Sequence, residues 1–213
     1  LTKMEYRGYD SAGIAVFDGE KIRVENSVGR LASLKEKIHG NEPQGVIGIG
    51  HTRWATHGRP SDRNSHPHTD CTGDFVVVHN GIIENYLALK EELLEKGHEF
   101  KSETDTEVIA HLLEDVYKGD FEAAVREVLR RIEGSYSLVF MSRHDPDCLI
   151  CTKQDNQLVI GLGDGENFVA SDIPAIIAHT RRAYIINDGE MAVVRKDSVW
   201  ITNRQGEPVT KQV

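Results

Sequence analysis

Residues 75–97 read FVVVHNGIIENYLALKEELLEKG, and their hydrophobic period changes partway along. The apolar run 75–78 predicts a strand, ended by the dipeptide Asn80-Gly81. From there Ile82, Tyr86, Leu89 and Leu93 recur at helical spacing until Gly97. Two more helical patterns follow directly. Val108, Ile109, Leu112, Leu113, Val116 and Tyr117 line one, and Phe121, Ala124, Val125, Val128, Leu129 and Ile132 line the other, with Gly119 and Gly134 as their stops. Upstream, residues 12–17 and 21–28 predict two strands around Asp18-Gly19, residues 31–38 a short helix, and residues 45–50 a buried strand. Downstream, strands are predicted at 135–141, 149–152, 158–160, 168–170, 184–186, 191–194 and 199–202. Strands, then helices, then strands again imply segregated layers, so the expected class is α+β and not a doubly wound parallel sheet.

The chain of 213 residues carries a net charge of −9. That excess of acid argues against a nucleic-acid backbone or an anionic membrane as the main partner. No run of apolar residues and glycines exceeds six, far below the ~18 that span a bilayer. Cys71, Cys148 and Cys151 are an odd set, which points to a reducing, cytosolic compartment. Cys148 and Cys151 have C-x-x-C spacing inside a predicted strand, where positions three apart face opposite sides, so they read as core. Gly161, Gly163 and Gly165 read as a turn between strands, since no helix pattern follows them.

Between residues 51 and 73 the periodicity disappears, and a segment this long without it is commonly functional. Arg53 offers a guanidinium fork for a carboxylate, with Trp54, Thr56 and His57 beside it, although a bridge between two loops explains an arginine as well. His66 and His68 near Cys71 hold potential metal ligands, but no fourth ligand stands at a recognisable spacing, and no metal is assigned. Asn80-Gly81 offers a side-chain amide and a main-chain N–H for one oxygen, the requirement of an oxyanion hole. Residues 104–107, Thr-Asp-Thr-Glu, read as a capping box with Thr104 as N-cap and Glu107 at N3. Asp105 then sits in the first helical turn, where the dipole explains it and a substrate ammonium would also suit it.

Four segments occur in one order: residues 5–13 (EYRGYDSAG), 51–58 (HTRWATHG), 79–85 (HNGIIEN) and 102–107 (SETDTE). Together they resemble the glutaminase domain of the glutamine–fructose-6-phosphate aminotransferases, within the class II glutamine amidotransferases, and the likeness covers nearly the whole of residues 1–213. The resemblance implies an N-terminal-nucleophile hydrolase fold, a four-layer αββα sandwich with two stacked antiparallel sheets. It implies hydrolysis of the L-glutamine amide to glutamate and ammonia, without metal or organic cofactor. Asn80 and Gly81 would stabilise the oxyanion; Arg53, Thr56 and His57 would hold the substrate carboxylate, and Asp105 its ammonium. Trp54 would belong to a closing loop, and Arg7 would order the catalytic terminus.

The family's nucleophile is an amino-terminal cysteine whose own α-amino group is the base. None of Cys71, Cys148 or Cys151 matches it, so the resemblance places nucleophile and first strand upstream of Leu1. The residues 1–213 alone would then be inactive. Relatives continue into sugar-isomerase domains that use the ammonia on fructose 6-phosphate, and the full-length form is expected to self-associate. A non-catalytic glutamine-binding or regulatory domain is the second reading.

Overall fold

In the computed structural model, which describes residues 1–54 and 58–213, a 3-10 helix Thr2–Arg7 leads into β1 (Ser11–Phe17), β2 (Ile22–Val28), α1 (Leu31–Ile38) and β3 (Ile47–Arg53). Next come a short 3-10 helix Asp62–Asn64, β4 (His68–Thr69) and β5 (Phe75–Ile83). The helices α2 (Tyr86–Glu95), α3 (Glu107–Val116) and α4 (Phe121–Arg131) follow without interruption by a strand. The remaining strands are antiparallel, β6 (Gly134–Ser142), β7 (Asp145–Gln154), β8 (Val159–Leu162), β9 (Asn167–Ala170), β10 (Ala183–Ile185), β11 (Met191–Val194) and β12 (Val199–Thr202), with a 3-10 helix Ile173–Ala175 between β9 and β10.

One sheet has six strands in the order β12-β11-β7-β6-β5-β4, and its two faces bury different partners. Side chains alternate across a strand, so Phe75 and Val77 of β5 meet α2–α4, while Val76 and Val78 meet the opposite layer. The helix layer closes over Val108, Ile109, Leu112 and Leu113, all fully buried; burying a side chain of this size contributes ~1.5–3 kcal/mol. Cys148 and Cys151 obey the same alternation, one in the helix-side core and one in the core behind the sheet. The second layer consists of two three-stranded sheets, β2-β1-β3 and β10-β8-β9. Ala15 and Ile49 pack the first of these onto Val76, Val78 and Met141. Outside it, Leu31 and Leu34 of α1 pack on Ala12. The order helix, sheet, sheets, helix is the α+β sandwich expected from the resemblance.

Three local expectations are corrected. The strand predicted at 75–78 runs on through Asn80-Gly81 to Ile83, because β6 continues to pair with it at Asn80↔Ser137 and Gly81↔Tyr136. The helix therefore starts at Tyr86 instead of Ile82. The run at 45–50 forms an edge strand that extends to Arg53 and is only partly buried. The capping box does not form: α3 begins at Glu107, whose carboxylate accepts the N–H groups of Lys101 (2.8 Å) and Ser102 (2.6 Å). Thr104 turns instead to Ser102 Oγ and His68 Nε2, 3.0 Å from each.

Candidate functional site

A cavity of about 610 Å³ opens between the two layers, and Arg7, Arg53, Trp54, Asn80, Gly81 and Asp105 all line it. β3 and β9 each end a three-stranded sheet, and both border this cavity, so each has one ladder edge with no strand on it among the described residues. Between these edges the lining is largely apolar, with Ile49, Val78, Val139 and Leu149 among it.

Asn80 follows Val76 and Val78 at intervals of two along β5, which turns its side chain toward the inter-layer space. Its Oδ1 lies 2.8 Å from His51 Nε2. An amide oxygen only accepts, so this pairing places the imidazole proton on Nε2 and frees the Asn80 NH2 for the cavity. Asn156 donates to the Asn80 carbonyl at 3.2 Å. Gly81 has φ +127, and a Cβ there would overlap the Ser135 carbonyl. Only glycine takes that conformation readily in mid-strand.

Asp105 is buried, and its Oδ2 accepts the Ile83 N–H at 2.8 Å. Arg53 is buried at the end of β3 and donates to the Gly58 carbonyl at 3.4 Å. Burial lowers its guanidinium pKa while the charges of Asp105 and Asp10 oppose the shift; an arginine stays cationic regardless. Trp54 is exposed and meets the Tyr9 ring edge-on, with centroids 5.2 Å apart. Arg7 lies 3.5 Å from Asp172 Oδ2, which also accepts the Tyr6 hydroxyl at 2.8 Å. Thr56 and His57 lie outside the described residues.

Behind these groups stands a stack of imidazoles, two of which, His66 and His68, read in the sequence only as potential metal ligands. His51 and His66 stack at 4.4 Å, and His66 meets His68 edge-on at 4.8 Å. His79 Nδ1 is 2.9 Å from Thr106 Oγ1. Enclosure pushes His51 down to about 4 and His68 to about 3, and lowers His66 as well. All three are neutral at physiological pH. Thr104 and Thr106 anchor His68 and His79, and Asp105 sits between these two threonines. The signals were present as histidine density over 51–79 and hydroxyls alternating through 102–106. Cys71 does not join His66 and His68; its sulfur lies beside His98 and His111. Among the described residues no cysteine lines the cavity. Burial raises the pKa of both Cys148, to about 12, and Cys151.

A profile of the glutamine amidotransferase domain matches residues 51–178. Glutamine–fructose-6-phosphate aminotransferase (isomerizing) of Aquifex aeolicus (strain VF5) is 51% identical over 213 residues, 100% of this chain and 36% of that protein. The protein of the same name from Pyrococcus horikoshii is 53% identical over 218 residues, with the same 100% and 36% coverage. The chain thus spans about 36% of the length of these curated relatives. Among solved structures, the glutamine phosphoribosylpyrophosphate amidotransferase from B. subtilis, complexed with ADP and GMP, aligns with a TM-score of 0.79 at 26% identity. That alignment covers 96% of this chain and 45% of the other.

Proposed function

The chain belongs to the glutamine amidotransferase domain family, and from that premise we propose that its cavity hydrolyses the side-chain amide of L-glutamine as the nitrogen-donating half of an amino-sugar synthase. The observation that carries this reading is the shared lining of one cavity by Arg53, Asp105, Asn80 and Gly81. A buried guanidinium pairs with the α-carboxylate of an amino acid, and Thr56 and His57 add neutral donors to it. A buried carboxylate pairs with the α-ammonium, and such charge-assisted bonds are the strong ones.

The side-chain amide of glutamine then reaches Asn80 and Gly81. The Asn80 NH2, turned by His51, and the Gly81 N–H donate to the oxyanion as the tetrahedral intermediate forms. Each donor of this kind is worth about 3 kcal/mol of barrier. The nucleophile is the thiolate of an amino-terminal cysteine, whose α-amino group takes the thiol proton. An extended segment between the free edges of β3 and β9 would carry that cysteine, and the apolar lining there suits a strand's side chains. Attack on the amide carbon and collapse expel ammonia, the α-ammonium of the cysteine returning the proton. Water then hydrolyses the thioester to glutamate. Ammonia passes to sugar-isomerase domains, where it aminates fructose 6-phosphate. Arg7, tied to Asp172, orders the catalytic terminus, and Trp54 belongs to the loop that closes over glutamine. The three free thiols suit a cytosolic setting.

Titrating glutamine into the protein tests the clamp. Binding that is lost in both Arg53→Ala and Asp105→Asn supports the assignment; unchanged binding in either variant overturns it. Labelling with an electrophilic glutamine analogue separates catalysis from mere binding. A single adduct on an amino-terminal cysteine supports hydrolysis, and glutamine binding without any adduct favours the regulatory reading.

A further inference from the structure

Away from the cavity, the turn between β4 and β5, the segment after α2 and one face of α3 converge on Cys71, His98, His111 and Glu114. One ligand atom from each lies within 4.8 Å of all the others. Cys71 Sγ is 3.8 Å from His98 Nδ1 and 3.5 Å from His111 Nδ1. Glu114 Oε2 is 3.0 Å from His98 Nδ1 and 3.6 Å from His111 Nδ1. We propose that these four side chains form a tetrahedral site for a zinc-class divalent cation that braces α3 against the two segments beside it.

The separations support this coordination. A tetrahedral zinc with sulfur at ~2.3 Å and nitrogen or oxygen at ~2.0–2.1 Å places S···N pairs ~3.6 Å apart and N···O pairs ~3.3 Å apart. The observed pairs fall on either side of both values. The donor set is one thiol, two imidazoles and one carboxylate, which suits zinc and not the all-oxygen shells of magnesium or calcium.

The surroundings are arranged as in a ligand shell. Both imidazoles turn Nδ1 to the centre and Nε2 to a carboxylate: His111 Nε2 is 3.5 Å from Glu107 Oε1, and His98 Nε2 is 3.9 Å from Asp115 Oδ1. At these distances neither contact is a hydrogen bond, and each carboxylate acts on its imidazole as a nearby opposite charge. Glu107 is itself held by two main-chain N–H groups, and Asp115 by Lys96 Nζ at 2.6 Å. The Glu99 N–H donates to Cys71 Sγ at 3.4 Å, as it would to a thiolate. Entry of the cation releases the Cys71 thiol proton to solvent, and each imidazole keeps one proton, on Nε2. Two anionic ligands then neutralise the dication at a half-buried position. A hydrogen-bonded cluster without a metal is the competing account.

The test is metal content and spectroscopy on the purified, untagged protein, desalted after exposure to zinc. We expect one zinc per chain. Replacing zinc by cobalt(II) should give a sulfur-to-cobalt charge-transfer band and the intense visible bands of tetrahedral geometry. Cys71→Ser should abolish the charge-transfer band and weaken zinc binding about 100-fold or more. Cys148→Ser, altered at a buried thiol elsewhere, should retain both. Chelation should lower the melting temperature of the unaltered protein and leave that of Cys71→Ser unchanged. Absence of stoichiometric zinc together with no charge-transfer band would overturn the site, as would a band that persists in Cys71→Ser. None of these readouts depends on glutamine turnover.

Discussion

Asn80 and His51 share one hydrogen bond, and its direction decides what the amide can do. With Oδ1 held by His51 Nε2 at 2.8 Å, the NH2 remains for the oxyanion of the proposed reaction. In a nucleophile-bearing protein, Asn80→Ala should lower kcat for glutamine hydrolysis by ~10²–10³ and leave KM nearly unchanged, since the interaction forms in the transition state. His51→Leu should cost about tenfold in kcat, because the donor is kept but no longer oriented. Asp105→Asn should act in the other sense. On the proposed role of Asp105 as partner of the substrate ammonium, the change weakens a charge-assisted contact made equally in ground and transition states, so KM should rise ~10–100-fold with kcat little altered. Steady-state kinetics separates the three outcomes.

At the scale of elements, the segment leading into α3 is held by side chains instead of by its own helix. Thr106 Oγ1 meets His79 Nδ1 at 2.9 Å, and both residues are buried. Thr106→Val keeps the shape and removes this buried hydrogen bond, so urea unfolding should show a loss of ~1 kcal/mol. This is also where sequence reading and structure part company. The helices at 86–116 and the strands of the second half were legible because their apolar periods are sustained and glycine turns bound them. Asn80-Gly81 reads as a stop because turn chemistry is local, whereas the continued pairing with β6 is tertiary. Arg53 and Asp105 were legible as charges with a plausible ligand, yet only the fold shows them on one cavity. The histidine stack left no period to detect, since its members come from β3, β4, β5 and the segment before β4. The quartet around Cys71 escaped for the same reason: His98, His111 and Glu114 lie far from it in sequence.

For the whole molecule, the enclosed imidazoles set a pH dependence. His51 at about 4 and His68 at about 3 lie below the ordinary histidine value of 6.5. Between pH 6.5 and 4 the unfolded chain binds protons that the folded chain refuses, so stability rises with pH across that window. The slope should approach ~1.4 kcal/mol per pH unit for each of these two histidines. Denaturant midpoints taken across pH 4–7 would show it, and His68→Gln should flatten the curve. A flat profile in the unaltered protein would contradict the neutral stack.

The two walls of the cavity come from residues 47–53 and 167–170, which leave the ribosome more than a hundred residues apart. A nascent chain therefore displays Arg53 and Asn80 long before the second wall exists to seat a strand beside them. Domains are made from the amino terminus onward at ~5–20 residues per second. For several seconds of synthesis the molecule holds residues of the proposed glutamine clamp with only one of the two strand edges that border the cavity. Completion of the cavity is thereby a late event in biosynthesis, and on the proposed function a truncated product ending before β9 would lack a finished site for glutamine.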